Sequence, residues 1–197
     1  MSDKLNPTNR CQWCGEDPLY QHYHDREWGT PSRDPAHLFE LLILEGCQAG
    51  LSWITILRKR ERYRQVYQGF DAQFMANQTD EDLLRLAEDA GIIRNRLKLR
   101  AARQNARAWL ALAEQQDPVD WLWQFVDGAP LINDFARHAE IPAITPQAEA
   151  MSRALKRAGF SFVGPTICYA FMQATGMVMD HVRDCYRYAE LGGRRRA

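Results

Sequence analysis

Glu45 occupies a position where the stripe Leu38, Leu41, Leu42 calls for an apolar residue, since three- and four-residue steps share one helix face. A carboxylate there is costly without a partner. Beyond the Gly46 to Gly50 break, Ser52 can cap a second helix whose inward stripe begins with Trp53 and continues through Ile56 and Leu57. An acid and a large aromatic then face one hollow, which suits a flat, electron-poor ligand stacked on Trp53 and hydrogen-bonded along its edge by Glu45. The competing reading is a core Trp beside a helix-end Glu that bends out to water.

A second group lies at the two chain ends. His181 and Cys185 are four apart, on one face if their segment is helical, and make half of a tetrahedral zinc site. Cys11, Cys14, His22 and His24 are candidates for the other half. Cys11 with Cys14 gives a C-x2-C pair and Cys11 with His24 a wider loop, and spacing does not choose between them. A Cys2His2 set leaves no coordination position open, so such a zinc is structural and clips the chain ends together. The alternative is a set of unrelated surface and core residues.

The third element is the turn Gly159-Phe160-Ser161-Phe162-Val163-Gly164-Pro165-Thr166. Gly159 suits a left-handed helix end, Gly164 permits close backbone approach, and Pro165 suits a first helical position, so backbone N–H groups at the next helix start can hold a phosphate oxygen, as in a helix-hairpin-helix element. An ordinary helical corner fits the same residues. The formal net charge is zero, yet residues 58 to 107 hold twelve of the 25 Lys and Arg against seven acids. Arg153, Lys156 and Arg157 precede the turn, and Arg194-Arg195-Arg196 follow the last pattern. These clusters read as solvated helix faces or as phosphate contacts.

The elements that must position these groups read as helices. The 197 residues, 46% hydrophobic, suffice for one sizeable core, and 19 Leu and 24 Ala against 6 Val favour an all-α protein. Residues 1–10 read as a disordered lead-in, 11–186 as a single domain and 187–197 as a basic tail. Cys11 to Trp28 reads as irregular. Asp34-Pro35 opens a helix ending at Glu45-Gly46, and further helices are expected over 52–67, after the Asp71 cap, from Thr79, from Ile92 to about Ala113, from Pro118 to Val126, over 146–158 and over 165–175. Residues 127–145 read as mostly loop. No apolar run of about 18 residues and no signal-like leader is present, so the chain is expected to be cytoplasmic and not membrane-bound. Five irregularly spaced cysteines argue against a disulfide framework.

The blocks Tyr23-His24-Asp25-Arg26-Glu27-Trp28-Gly29, Leu44 to Trp53, Gly91-Ile92-Ile93-Arg94, Phe162-Val163-Gly164 and Asp180-His181-Val182 together resemble the DNA-3-methyladenine glycosylase I family, in register from Cys11 to Cys185. The resemblance implies a helix-hairpin-helix DNA glycosylase fold whose N- and C-terminal segments are joined by one structural Zn2+ per chain. Its zinc ligands fall on Cys11, His24, His181 and Cys185, and its base pocket on Tyr23, Glu45 and Trp53. It further implies a monomeric, monofunctional enzyme that flips 3-methyladenine out of double-stranded DNA containing alkylated purines and hydrolyses its glycosidic bond to start base excision repair. A purine alkylated at N3 is cationic in DNA, so the bond is already weak and the base departs neutral. On this reading Tyr23 and Trp53 sandwich the base, Glu45 accepts from its edge, Leu51 wedges into the stack, and Gly164 and Thr166 touch the backbone. Asp180 supports a zinc ligand, and no lysine is available for lyase chemistry. A phosphohydrolase using His24-Asp25 and a non-catalytic zinc-bearing DNA-binding module are the rival classes.

Overall fold

The computed structural model describes residues 9–194; most of the expected lead-in and residues 195–197 of the tail lie outside them. The helices are α1 (Pro18–Arg26), α2 (Pro35–Gln48), α3 (Trp53–Val66), α4 (Ala72–Asn77), α5 (Asp80–Leu86), α6 (Arg96–Ala113), α7 (Pro118–Trp123), α8 (Pro146–Arg157), α9 (Pro165–Ala174) and α10 (Tyr186–Glu190). Most begin at a polar cap. Asp17, Asp34, Asp71, Asn95, Asp117 and Thr145 each accept from a first-turn N–H, and Thr79 with Asp82 forms a reciprocal capping box.

Helix α2 is the axis of the molecule. Every residue from Leu38 to Cys47 is buried, and α3, α6, α7 and α9 pack around it. A helix apolar on all sides must be central. Its buried Glu40 is held by Arg60 and Arg64 of α3, while Arg60 Nη1 also donates to Glu27 at 2.7 Å, so one ion network fixes α2 and α3 against the exit of α1. No described helix is long and apolar enough to cross a membrane.

Several local expectations are corrected. The chain is mostly rather than wholly helical: β1 (Leu131–Ile132) and β2 (Val178–Met179) pair in parallel inside the expected loop region and after α9. Helix α2 runs through Gly46 to Gln48, with Phe162 packed against Gly46, where a Cβ would make an ordinary contact at 3.5 Å. Helix α6 starts at Arg96 instead of Ile92, because Ile92 is pulled into the core and the Ile93 N–H donates to Tyr63 Oη at 3.1 Å. Cys11 to Trp28 is ordered, with a 3-10 turn at Gln12–Cys14 ahead of α1. His181 to Cys185 forms a turn, not a helix.

The folded unit also extends past 11–186. Asn9 O accepts from the Tyr186 N–H at 2.9 Å, Arg10 pairs with Asp25 at 2.8 Å, and Tyr188 of α10 is buried.

Candidate functional site

A cavity of about 270 Å3 opens where α1, the ends of α2 and the start of α3 meet α9. Its walls include Tyr23, Glu45 and Trp53, the three residues expected there, and also Trp13, Tyr20, Trp28, Gln48, His138, Ala170 and Gln173. Glu45 does not reach water: it is 3% exposed, and its Oε2 is buried without a hydrogen-bond partner. The Nε1 atoms of Trp13 and Trp53 are likewise buried and unpartnered. Three side chains lining one aromatic box thus each bury a polar atom without a protein partner, a cost of about 1–3 kcal/mol apiece.

Burial pushes the Glu45 carboxyl up to about 8, since desolvation penalises the anion. The folded protein therefore holds that proton more tightly than the unfolded chain does. Ionisation of Glu45 adds no cost below the ordinary carboxyl range near pH 4.3 and erodes stability as pH rises from there through about 8. Thermal unfolding of Glu45→Gln is expected to match the parent at pH 4 and to exceed it at pH 8.5, by roughly a few kcal/mol; equal midpoints at both pH values would remove the desolvated carboxyl.

The aromatic geometry differs from a two-ring sandwich. Tyr23 and Trp53 touch, with ring centroids 5.4 Å apart and planes 49° apart. A base between them needs about 7 Å, twice the ~3.5 Å carbon contact distance. They therefore form two adjoining walls. Trp13 supplies another, set edge-on against Tyr20 and Trp28 with centroids 4.9 Å away in each case. Gln173 was not singled out by sequence. Its Nε2 donates to the buried Asp180 at 2.8 Å, and Asp180 also accepts from Tyr169 Oη at 2.6 Å and Asn133 Nδ2 at 2.7 Å. Asp180 thus orients a pocket amide, whereas His181 is held by the Trp28 carbonyl at 3.0 Å.

Cys11, His24, His181 and Cys185 converge behind this cavity, all buried, with their donor atoms within 4.8 Å of one another. Cys185 Sγ lies 3.4 Å from His24 Nε2 and 3.4 Å from His181 Nδ1, and Cys11 Sγ lies 3.6 Å from His181 Nδ1. Tetrahedral bonds of 2.0–2.3 Å place neighbouring N and S ligands about 3.3–3.8 Å apart, so the donor set fits a zinc ion. The outer nitrogens are also occupied: His24 Nδ1 meets Asp25 Oδ1 at 2.8 Å, itself held by Arg10, and His181 Nε2 meets the Trp28 carbonyl, which turns the inner nitrogens toward the two sulfurs, where His24 Nε2 also accepts from the Cys11 N–H at 3.2 Å. Gly29 makes this approach possible, because at φ 74° a Cβ would come within 3.0 Å of the His181 ring. Cys14 instead points its Sγ at the Cys11 carbonyl, and His22 is exposed.

The remaining expected residues lie on the surface. Leu51 is 40% exposed at the tip between α2 and α3, Thr166 is exposed in the first turn of α9, and Gly164 caps that helix with open space around it. The expected basic face of α6 is only partial: Lys98 is buried, Arg103 pairs with Asp80 at 2.7 Å and Arg107 bonds the Ala76 carbonyl. Lys156 and Arg157 stay exposed beside the turn. A larger, more open cleft of about 870 Å3 between α3, α4 and α5 offers one aromatic side chain, Phe74, and acids such as Asp89 and Asp82 already paired with Arg62 and Arg85.

A helical scaffold enclosing an aromatic slot around a single desolvated acid is the architecture of a protein that receives a flat heterocycle. Residues 13–188 match the methyladenine glycosylase family, and the chain belongs to it. It is 51% identical over 180 residues to DNA-3-methyladenine glycosylase 1 of Escherichia coli (strain K12), covering 91% of this chain and 96% of that protein. A crystal structure of a 3-methyladenine DNA glycosylase I superposes with a TM-score of 0.89 at 51% identity, over 90% of this chain and 98% of the other. A substituted form of 3-methyladenine DNA glycosylase I in complex with 3-methyladenine superposes at 0.87 with 34% identity, over 90% of this chain and 96% of the other.

Proposed function

We propose that this chain is a monofunctional DNA glycosylase that releases 3-methyladenine from alkylated DNA. The observation that carries the reading is the aromatic cavity around Glu45, in which three lining side chains, Trp13, Trp53 and Glu45, each carry a buried polar atom with no protein partner. The free base offers ring nitrogens as acceptors for indole N–H groups and an exocyclic amine as donor to a carboxyl oxygen. While still attached to DNA the base is cationic, and a cation is drawn both to aromatic faces and to an ionisable carboxyl in a low-dielectric site. Ordinary adenine is neutral and brings no charge to offset ionisation of Glu45, which discriminates between them. Glu45 and the rings therefore bind and orient, while the alkylated base supplies its own leaving ability. Water attacks the sugar carbon. Among the lining residues there is no lysine, so no Schiff base follows.

The turn between α8 and α9 reads as the hairpin that holds the DNA backbone through Gly164 and Thr166, with Lys156 and Arg157 beside it, and Leu51 as the apolar wedge that fills the gap left by the everted nucleotide. The Cys11, His24, His181 and Cys185 cluster reads as a structural zinc site. It is closed by four protein ligands, so the ion joins the chain ends and takes no part in the reaction.

Chromatography of the bases released from methylated DNA tests the function. Release of 3-methyladenine with an abasic strand left uncut is expected; strand cleavage without release would favour a nuclease, and DNA binding without release a non-catalytic module.

A further inference from the structure

Lys98 is 7% exposed in the first turn of α6, an unusual place for an ammonium group with no acid as its partner. Its Nζ donates to the Cys47 carbonyl at 2.8 Å and the Ala49 carbonyl at 2.7 Å. These belong to the last turn of α2, where carbonyls lack helical partners and a cation is favoured by the helix dipole. That turn leads directly into Gly50, Leu51 and Ser52, the tip between the pocket acid and Trp53.

Seven residues, about two turns, further along the same face of α6 lies Asn105, 2% exposed. Its Oδ1 accepts from the Ser161 N–H at 2.7 Å and its Nδ2 donates to the Ser161 carbonyl at 2.9 Å, so one amide clamps both backbone groups of a residue in the α8–α9 turn. Gln104 adds a bond to the Gly159 carbonyl at 3.1 Å. Between the two clamps Ala101 and Ala102 of α6 line the same small space as Gly46 of α2 and Phe162 of the turn, which lies in the left-handed region at φ 54°. The space left among these side chains is about 10 Å3. The end of α2, the start of α6 and the turn are therefore locked into one body at a fixed spacing.

We propose that Lys98 and Asn105 are positioning residues for excision: α6 sets the distance between the Leu51 tip and the α8–α9 turn, so that a duplex held at its backbone by the turn presents the everted base in register with the Glu45 pocket. This rests on the glycosylase reading above. The pocket is walled by α1, the last turn of α2, the start of α3 and α9, and none of its lining side chains bonds to Lys98 or Asn105, so a free base can bind without that register.

Lys98→Met, Asn105→Ala and Lys98→Arg test it, with two readouts. Single-turnover release of 3-methyladenine from saturating methylated DNA is expected to fall about tenfold or more in Lys98→Met and Asn105→Ala, as misplacement of reacting groups does. Affinity for free 3-methyladenine, followed by quenching of tryptophan fluorescence, should stay unchanged. Lys98→Arg, which still offers N–H donors to the two carbonyls, should recover part of the rate. The proposal is overturned if excision is unchanged while only the melting temperature drops, or if free-base affinity falls in step with excision. Should Lys98→Met fail to fold, Asn105→Ala carries the same comparison. A parent protein that releases no base would sink the glycosylase reading instead.

Discussion

Alanine at Trp53 is expected to slow release of 3-methyladenine from alkylated DNA by about a hundredfold. Two effects add. Stacking of a base on an aromatic ring is worth about 1–3 kcal/mol, which alone is roughly five- to 150-fold. Trp53 is also 7% exposed and lines the same cavity as Glu45, so its removal enlarges the space beside the carboxyl, admits water and moves it toward the ordinary acid range from about 8. Glu45→Gln separates the two, because it keeps the shape and the aromatic walls but loses the charge that a cationic purine favours. It should be nearly inactive, while its melting temperature at pH 8.5 rises above that of the parent. Single-turnover excision and thermal unfolding on the same three proteins decide the matter. A Glu45→Gln variant that excises at the parental rate would show that the acid neither orients nor selects the base.

Replacing His181 and Cys185 by alanine is expected to cost the protein its metal and, with it, most of its stability. The Cys11 to His181 contact spans 170 positions, so an ion held there closes nearly the whole chain into a loop. Binding of a structural zinc in small peptides is worth about 10–16 kcal/mol at neutral pH, comparable with the whole stability of about 5–15 kcal/mol of an ordinary domain. Elemental analysis of the parent should return about one zinc per chain. The double variant should return none and unfold far below the parental midpoint, and prolonged chelation of the parent should reproduce that shift. A metal-free double variant that melts with the parent would leave the cluster without a structural role. Loss of zinc in Glu45→Gln is not expected, because Glu45 lies outside the cluster, and this separates damage to the pocket from damage to the clip.

Local chemistry was legible from residue order alone. Asp34 before Pro35, Asp71 and Thr79 announce helix starts, because a cap satisfies N–H groups only two or three residues away. Glu45 on an apolar stripe was visible for the same reason, whereas Ser52 precedes α3 without capping it, its hydroxyl meeting Thr55 Oγ1 at 2.8 Å. The pairing of Cys11 with His24, and not Cys14 or His22, came only from resemblance to a family, since spacing left both choices open.

What the tertiary structure decided were matters with no local signature. It turned Cys14 aside and His22 outward, carried α2 through Gly46 to Gln48, held Ile92 out of α6, and closed the pocket with Trp13, Trp28, His138 and Gln173 from three distant stretches. It also set Tyr23 against Trp53 as adjoining walls. Hydrophobic periodicity records which face of a helix is buried and where that helix begins; it carries no record of which distant side chain will be packed against that face, and here that neighbour fixed both the slot for the base and the charge of the acid within it.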